Sequence, residues 1–177
     1  IKASLEQIYN SGLYDSETVI NFSSIKFSDK IEEDINLTDL YVTAASFLDK
    51  AKQQGSMQLS YGVKAGDINE YHVEDIALDI AVNNISGKFI KAYQKFSQTL
   101  GDVSAEDMQE KLQGFAQDNL LTLLSTEPQI NITSLRGTFP EGKFNGTMHS
   151  SLVDVSTLPT PIENQEFWLA HALVNGK

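Results

Sequence analysis

The chain contains no cysteine, four prolines and one tryptophan in 177 residues, and each scarcity removes a class of explanation. Without a thiol there is no disulfide staple, no Cys-ligated zinc site and no thiol nucleophile. Basic residues are also scarce: 13 Lys and Arg stand against 24 Asp and Glu, a formal charge of −11. A surface of that sign repels phosphate, which excludes a basic nucleic-acid binder. It also disfavours contact with anionic lipid head groups. Long apolar runs are missing. The longest, Ile76 to Val82 and Leu120 to Leu124, fall far short of the ~20 residues that span a bilayer. The first ten residues mix polar and apolar types and do not make a signal peptide. A start at Ile1 and a stop at Lys177, just after an apolar patch, are what a segment of a longer protein would have.

What is present can build a core. Hydrophobic residues make up 41% and aromatics 9%, which argues against disorder. A chain of this length buries roughly 70% of its unfolded surface and needs no metal for stability. It is expected to be a single domain or a segment of a larger α+β protein. The expected order is strand-rich 17–86, helical 87–127, a strand hairpin at 129–153 and a short helix at 164–174. Five N-x-S/T sequons begin at Asn21, Asn36, Asn84, Asn131 and Asn145; chance is their plainer reading in a chain rich in Asn, Ser and Thr.

The periodicities suggest the elements. Thr18 to Phe27 reads as a strand and Ser28 to Asp34 as a charged connection. Ile35 to Gln54 is ambiguous: its start alternates, and its second half places Leu40, Ala44, Phe47, Leu48 and Ala51 at helical spacing. A strand passing into a short helix is the expectation. In Ser56 to Ala65, Met57, Leu59, Tyr61, Val63 and Ala65 alternate strictly with polar or small residues. Gly66-Asp67 reads as a turn. Tyr71 to Asn83 follows as a strand with Ile76, Leu78, Ile80 and Val82 on one face, and Ala77, Asp79 and Ala81 on a face suited to solvent. Phe89, Tyr93 and Phe96 form one helical stripe, and Met108, Leu112 and Phe115 another. Ser104 with Asp107 suggests a helix cap, and Pro128 a stop. Gln129 to Leu135, with Ile130 and Ile132 inward, pairs with Lys143 to Val153 across a Phe139-Pro140-Glu141-Gly142 turn. Leu158 to Pro161 is a stiff connector, and Glu166 to Val174 a short helix. The expected fold is α+β, an antiparallel sheet with helices packed on one face.

The passage from Asp118 through Leu123-Leu124 and Pro128 to Ile132, then Phe139-Pro140-Glu141-Gly142-Lys143, resembles the YdgA-like bacterial family of unknown function. That family has a helix ending in Leu-Leu, a Pro, a strand, a T-P-E-G-like turn and a return strand; here Phe139 departs at the turn's first position. Val73 to Leu100, with Asn83-Asn84-Ile85-Ser86-Gly87 before Phe89, is similar as well. The likeness extends over Ser56 to Leu173 in pattern. It implies a longer, membrane-anchored parent with a body on the extracytoplasmic, periplasmic side of a bacterial inner membrane. The family has no agreed catalytic residues, so the resemblance transfers none.

Candidates for chemistry are few. Glu70, His72 and Glu74 recur at i, i+2, i+4, so an imidazole and two carboxylates share one strand face and could ligate a metal. Strand neighbours on a face sit nearly 7 Å apart at ~3.3 Å per residue, and a polar strand entrance is the plainer reading. His149 with Ser150 and Ser151 invites a nucleophile, but no G-x-S-x-G elbow surrounds them. Glu32, Glu33 and Asp34 lack calcium-loop spacing. Gly137, Gly142 and Gly146 match no phosphate loop. The two aromatic stripes could line an acyl groove, though plain core explains them. Phe167 and Trp168 are candidates for an interaction surface. No cofactor is implied. The expected role is a non-enzymatic, envelope-associated domain, structural or binding a lipid, an envelope polymer or a protein. The alternatives are a metal-dependent or hydrolytic enzyme using Glu70, His72 and Glu74 or His149, and an adhesion module.

Overall fold

The computed structural model describes residues 15–28, 34–68, 71–100 and 105–177. Seven strands form one antiparallel sheet in chain order. They are β1 (Ser16–Ser28), β2 (Asp34–Asp49), β3 (Gln54–Ile68), β4 (Tyr71–Ser86), β5 (Gln129–Phe139), β6 (Gly142–Leu152) and β7 (Ala172–Gly176). Helices α1 (Gly87–Ser97) and α2 (Ala105–Leu124) interrupt the meander between β4 and β5, and α3 (Gln165–His171) does so between β6 and β7. The longest strands have 16 residues, roughly 50 Å at ~3.4 Å per residue.

The sheet is antiparallel as expected, but helices packed over one of its faces are not found. α1 and α2 pack on each other and make their main sheet contacts with β3 and β4. The physical reason is in their stripes. Phe115 of α2 has its ring 4.5 Å from Phe96, 5.6 Å from Phe89 and 5.9 Å from Tyr93, all of α1. Aromatic pairs at these separations satisfy one another, so the expected core stripes serve the helix pair itself.

The pair is tethered to one end of the sheet. Gly87 N donates to Gln53 O at 2.8 Å, and a Cβ on Gly87 would come within 2.7 Å of that oxygen. Ile90 lies directly over Gly55, where a Cβ would meet its Cδ1 at 2.6 Å. At the exit of α2, Leu124 is buried, Thr126 Oγ1 donates to Asn84 O at 2.6 Å and Asn84 Nδ2 donates to Glu127 O at 3.3 Å.

Other expectations need correction. Ile35 to Gln54 holds no helix: β2 runs unbroken to Asp49 and a turn follows. Gly66-Asp67 is not a turn but lies inside β3. The segment from Glu166 to Val174 is half helix and half strand, because Ala172–Gly176 joins the edge of β6. Ala77 and Ala81, expected on a solvent face, are 2% and 6% exposed. They are small residues sunk between larger neighbours; in the row Tyr41–Gly62–Ala77 the Tyr41 ring occupies the space over Gly62. Ile130, expected inward, is half exposed. The Phe139–Gly142 hairpin turn is as expected, with Gly142 at φ 151°. The segment Leu5 to Tyr14, the 29–33 connection and the Ser104 cap lie outside the described residues.

The registers of the first four strands reveal a reversal. On the front face, towards the helix end, Phe22, Leu40, Val63 and Ile76 share one row, and Ile20, Val42, Tyr61 and Leu78 the next. At the opposite end the front face turns polar, with Ser24–Thr38–Ala65–Glu74 and Lys26–Asn36–Asp67–His72. There the apolar residues occupy the back face instead: Ile25–Leu37–Gly66–Val73, then Phe27 paired with Ile35 and Tyr71 closing that row. The reversal falls at Ser23, Asp39, Lys64 and Asp75, the residues that the pairing skips between the two sets of rows. Asp39 and Asp75, on the strands flanking Lys64, both have φ 50°, a left-handed conformation that Asp tolerates better than most residues. Lys64 Nζ lies 3.7 Å from Asp39 Oδ2. Strict alternation holds on each side of this row and shifts phase across it.

Candidate functional site: an open apolar sheet face

The helix-end half of the front face is four rows deep. Beyond the two rows already named, Thr18, Ala44, Leu59, Ile80, Ile132 and Met148 make a third. Ser16, Ser46, Met57, Val82, Ile130 and Ser150 make the fourth. Leu135 extends the Tyr61–Leu78 row onto β5. These rows contain no Asp, Glu, Lys, Arg or His, in a chain where one residue in five is charged.

This face is not sealed. Among the described residues no large side chain is fully buried; in these rows Ala44 and Ser46 are buried and most of the others half-buried. Tyr61 is 42%, Leu135 40% and Ile130 51% exposed. At the border, Phe139 and Phe144 stack at 5.7 Å, both partly open to solvent. Scattered exposed apolar residues need no explanation, but a contiguous uncharged wall does.

The sequence-predicted metal trio fares differently. Glu70 lies outside the described residues. His72 is exposed at the polar end of the front face, its Nδ1 2.7 Å from Asp67 Oδ1 and its Nε2 3.4 Å from Glu74 Oε1. Asp67 first, and Glu74 second, hold its pKa above the ordinary histidine value by bonding the protonated ring. The two carboxylates sit at opposite ring nitrogens and do not converge on one point. Among the described residues no three His, Asp or Glu side chains form a metal-holding group.

His149 is exposed on the back face, in register between Asn131 and Asn175. Ser150 faces front, with Oγ donating to Ile130 O at 3.0 Å. His149 and Ser150 therefore lie on opposite sides of the sheet. Asn164 caps α3 by accepting from Phe167 N at 3.1 Å. Trp168 is half buried and donates Nε1–H to Ile162 O at 2.7 Å; Phe167 packs edge-on against it at 5.2 Å. His171 donates from Nδ1 to Val153 O at 2.9 Å. The exposed apolar side chain of this helix is Leu169.

Sequence reasoning expected the front face to be sheltered and so missed it as a site. The available signal was the aromatic content of both helical stripes, which suits ring-on-ring packing.

A family model described as "Bacterial protein of unknown function (DUF945)" matches residues 7–175. No curated protein and no solved structure matches the chain.

Proposed function

The chain belongs to DUF945, a family of bacterial proteins of unknown function, and from that premise we propose a non-enzymatic, envelope-associated domain whose open front face binds an apolar partner. In this reading it is the periplasmic body of a YdgA-like parent anchored in the inner membrane. The resemblance of the Leu123–Ile132 and Phe139–Lys143 passages supports that placement, and the lack of cysteine suits an oxidising compartment.

One observation carries the binding role: four consecutive rows without a charged side chain, half-buried for the most part and exposed at Tyr61, Ile130 and Leu135. The rows extend six residue steps along β3 and five strand spacings across β1 to β6. That is ~20 Å by ~24 Å, or about 500 Å². At ~25 cal/mol per Å², covering it contributes at most about 12 kcal/mol, and less because most of these side chains are already half-buried; that offsets part of the 4–15 kcal/mol that association costs.

Nile red, an uncharged dye that fluoresces in apolar surroundings, tests the reading. Leu135→Asp or Ile130→Asp is expected to weaken dye binding about tenfold or more, the effect of ~1.4 kcal/mol. Thr43→Asp, on the back face, should leave it unchanged. Equal dye affinity in the front-face and back-face variants, all folded by circular dichroism, would sink the proposal.

A further inference from the structure

We propose that the occupant of the front face is the acyl chain of a lipid without net charge. The inference rests on the binding role just argued and adds the partner's chemistry. A second copy of the chain fits poorly. A stable interface takes about 800 Å² per partner, more than the ~500 Å² footprint, and it would bring together two bodies of charge −11. An acyl chain fits in both size and charge. One leaflet's chains span about half of the ~30 Å hydrocarbon core, which is shorter than either dimension of the wall. The rows offer such a chain mostly methyl, methylene and ring surface, with the Tyr61 hydroxyl in one row and Ser and Thr hydroxyls in the rows nearest the helices.

The charge of the chain selects the head group. Across the reversal row the front face presents Asp67 and Glu74 bonded to His72, with Lys26 in the same row. These groups offset one another, so selection falls to the net charge of −11, which repels a head group carrying phosphate alone and accepts one whose ammonium balances its phosphate.

Displacement of Nile red by palmitoyl lysophosphatidylcholine and by palmitoyl lysophosphatidylglycerol tests this on the intact chain. The zwitterionic lipid should displace the dye, and the anionic one about tenfold less effectively at low ionic strength. The gap should narrow at high salt as screening grows. Leu135→Asp should abolish displacement; Ile130→Asp, at a half-exposed position, provides a second variant should the first unfold. Dye binding that neither lipid displaces overturns the acyl proposal while the apolar-partner reading stands. Equal displacement by both lipids at low salt overturns the charge selection. Sedimentation showing dye release on dimerisation assigns the wall to a second copy and overturns the proposal. No dye binding at all removes the parent reading together with this one.

Discussion

The two ends of the sheet are built from the same four strands in the same register, yet they are chemically inverted. At the helix end the front is apolar, with the Tyr61 and Leu59 rows, and the back carries Glu17, Gln58, Ser60 and Asp79. At the far end the back is apolar around Leu37 and Val73, and the front carries Asp67, His72 and Glu74. The strands keep one register across this change, although the pairing skips the row where it occurs. What distinguishes inside from outside is the phase of side-chain alternation, and that phase shifts at one transverse row. A single sheet thus presents two apolar areas on opposite sides, and a partner on one leaves the other free.

The largest effect expected from breaking this inversion is at Val73, 5% exposed on the back of the far end. Val73→Asp buries a carboxylate among Leu37 and Gly66 and should cost about 3 kcal/mol or more in urea unfolding. The same charge is carried without penalty one residue on, by Glu74 on the front. A comparable loss from Glu74→Val would show that the two faces are not inverted there.

A smaller effect tests the reversal row. Asp39 at φ 50° occupies a conformation that costs most L-residues ~1–2 kcal/mol. Asp39→Ala should therefore lower stability by about 1 kcal/mol, and Asp39→Gly, free of that restriction, should be close to neutral. If Ala and Gly behave alike at 39, the left-handed backbone there is not a strained point.

The smallest effect belongs to His72. With its pKa raised by Asp67 and Glu74, the protonated ring favours the folded state. That contribution is complete below the ordinary histidine pKa and fades as pH rises through the raised value. An NMR titration of the His72 ring should show a midpoint above the ordinary value, falling towards it in Asp67→Asn. Because the site is exposed, its weight in stability is slight. A midpoint unmoved by Asp67→Asn would dissolve the assigned pairing.

Much of the sheet was legible before any coordinates. Met57 to Ala65 alternates without a break, and Ile76 to Val82 does so on the neighbouring strand; both are strands paired as expected, although Ala77 and Ala81, expected towards solvent, are buried. The Pro140-Glu141 turn follows from local chemistry. Ile35 to Gln54 misled because its apolar residues change phase at Asp39: Leu37, then Leu40, Ala44 and Phe47 imitate helical spacing although all lie in one strand. The same shift passes unnoticed in β1, between Phe22 and Ile25, and in β4, between Val73 and Ile76. Any one of them alone reads as a lapse; only the register, which is non-local, lines them up. The open wall was hidden for a related reason. Helical stripes announce that something will be buried, not what against, and Phe115 chose Phe89, Tyr93 and Phe96 over the sheet.

The reversal row also sets how far a miscount would reach. The registers on its two sides share one count across β1 to β4, so Asp39 and Asp75, though left-handed, absorb no extra residue. Losing one amino acid in any of these strands would exchange every side chain downstream between the two surfaces. Length variation among relatives should therefore gather in the connections and avoid the strands.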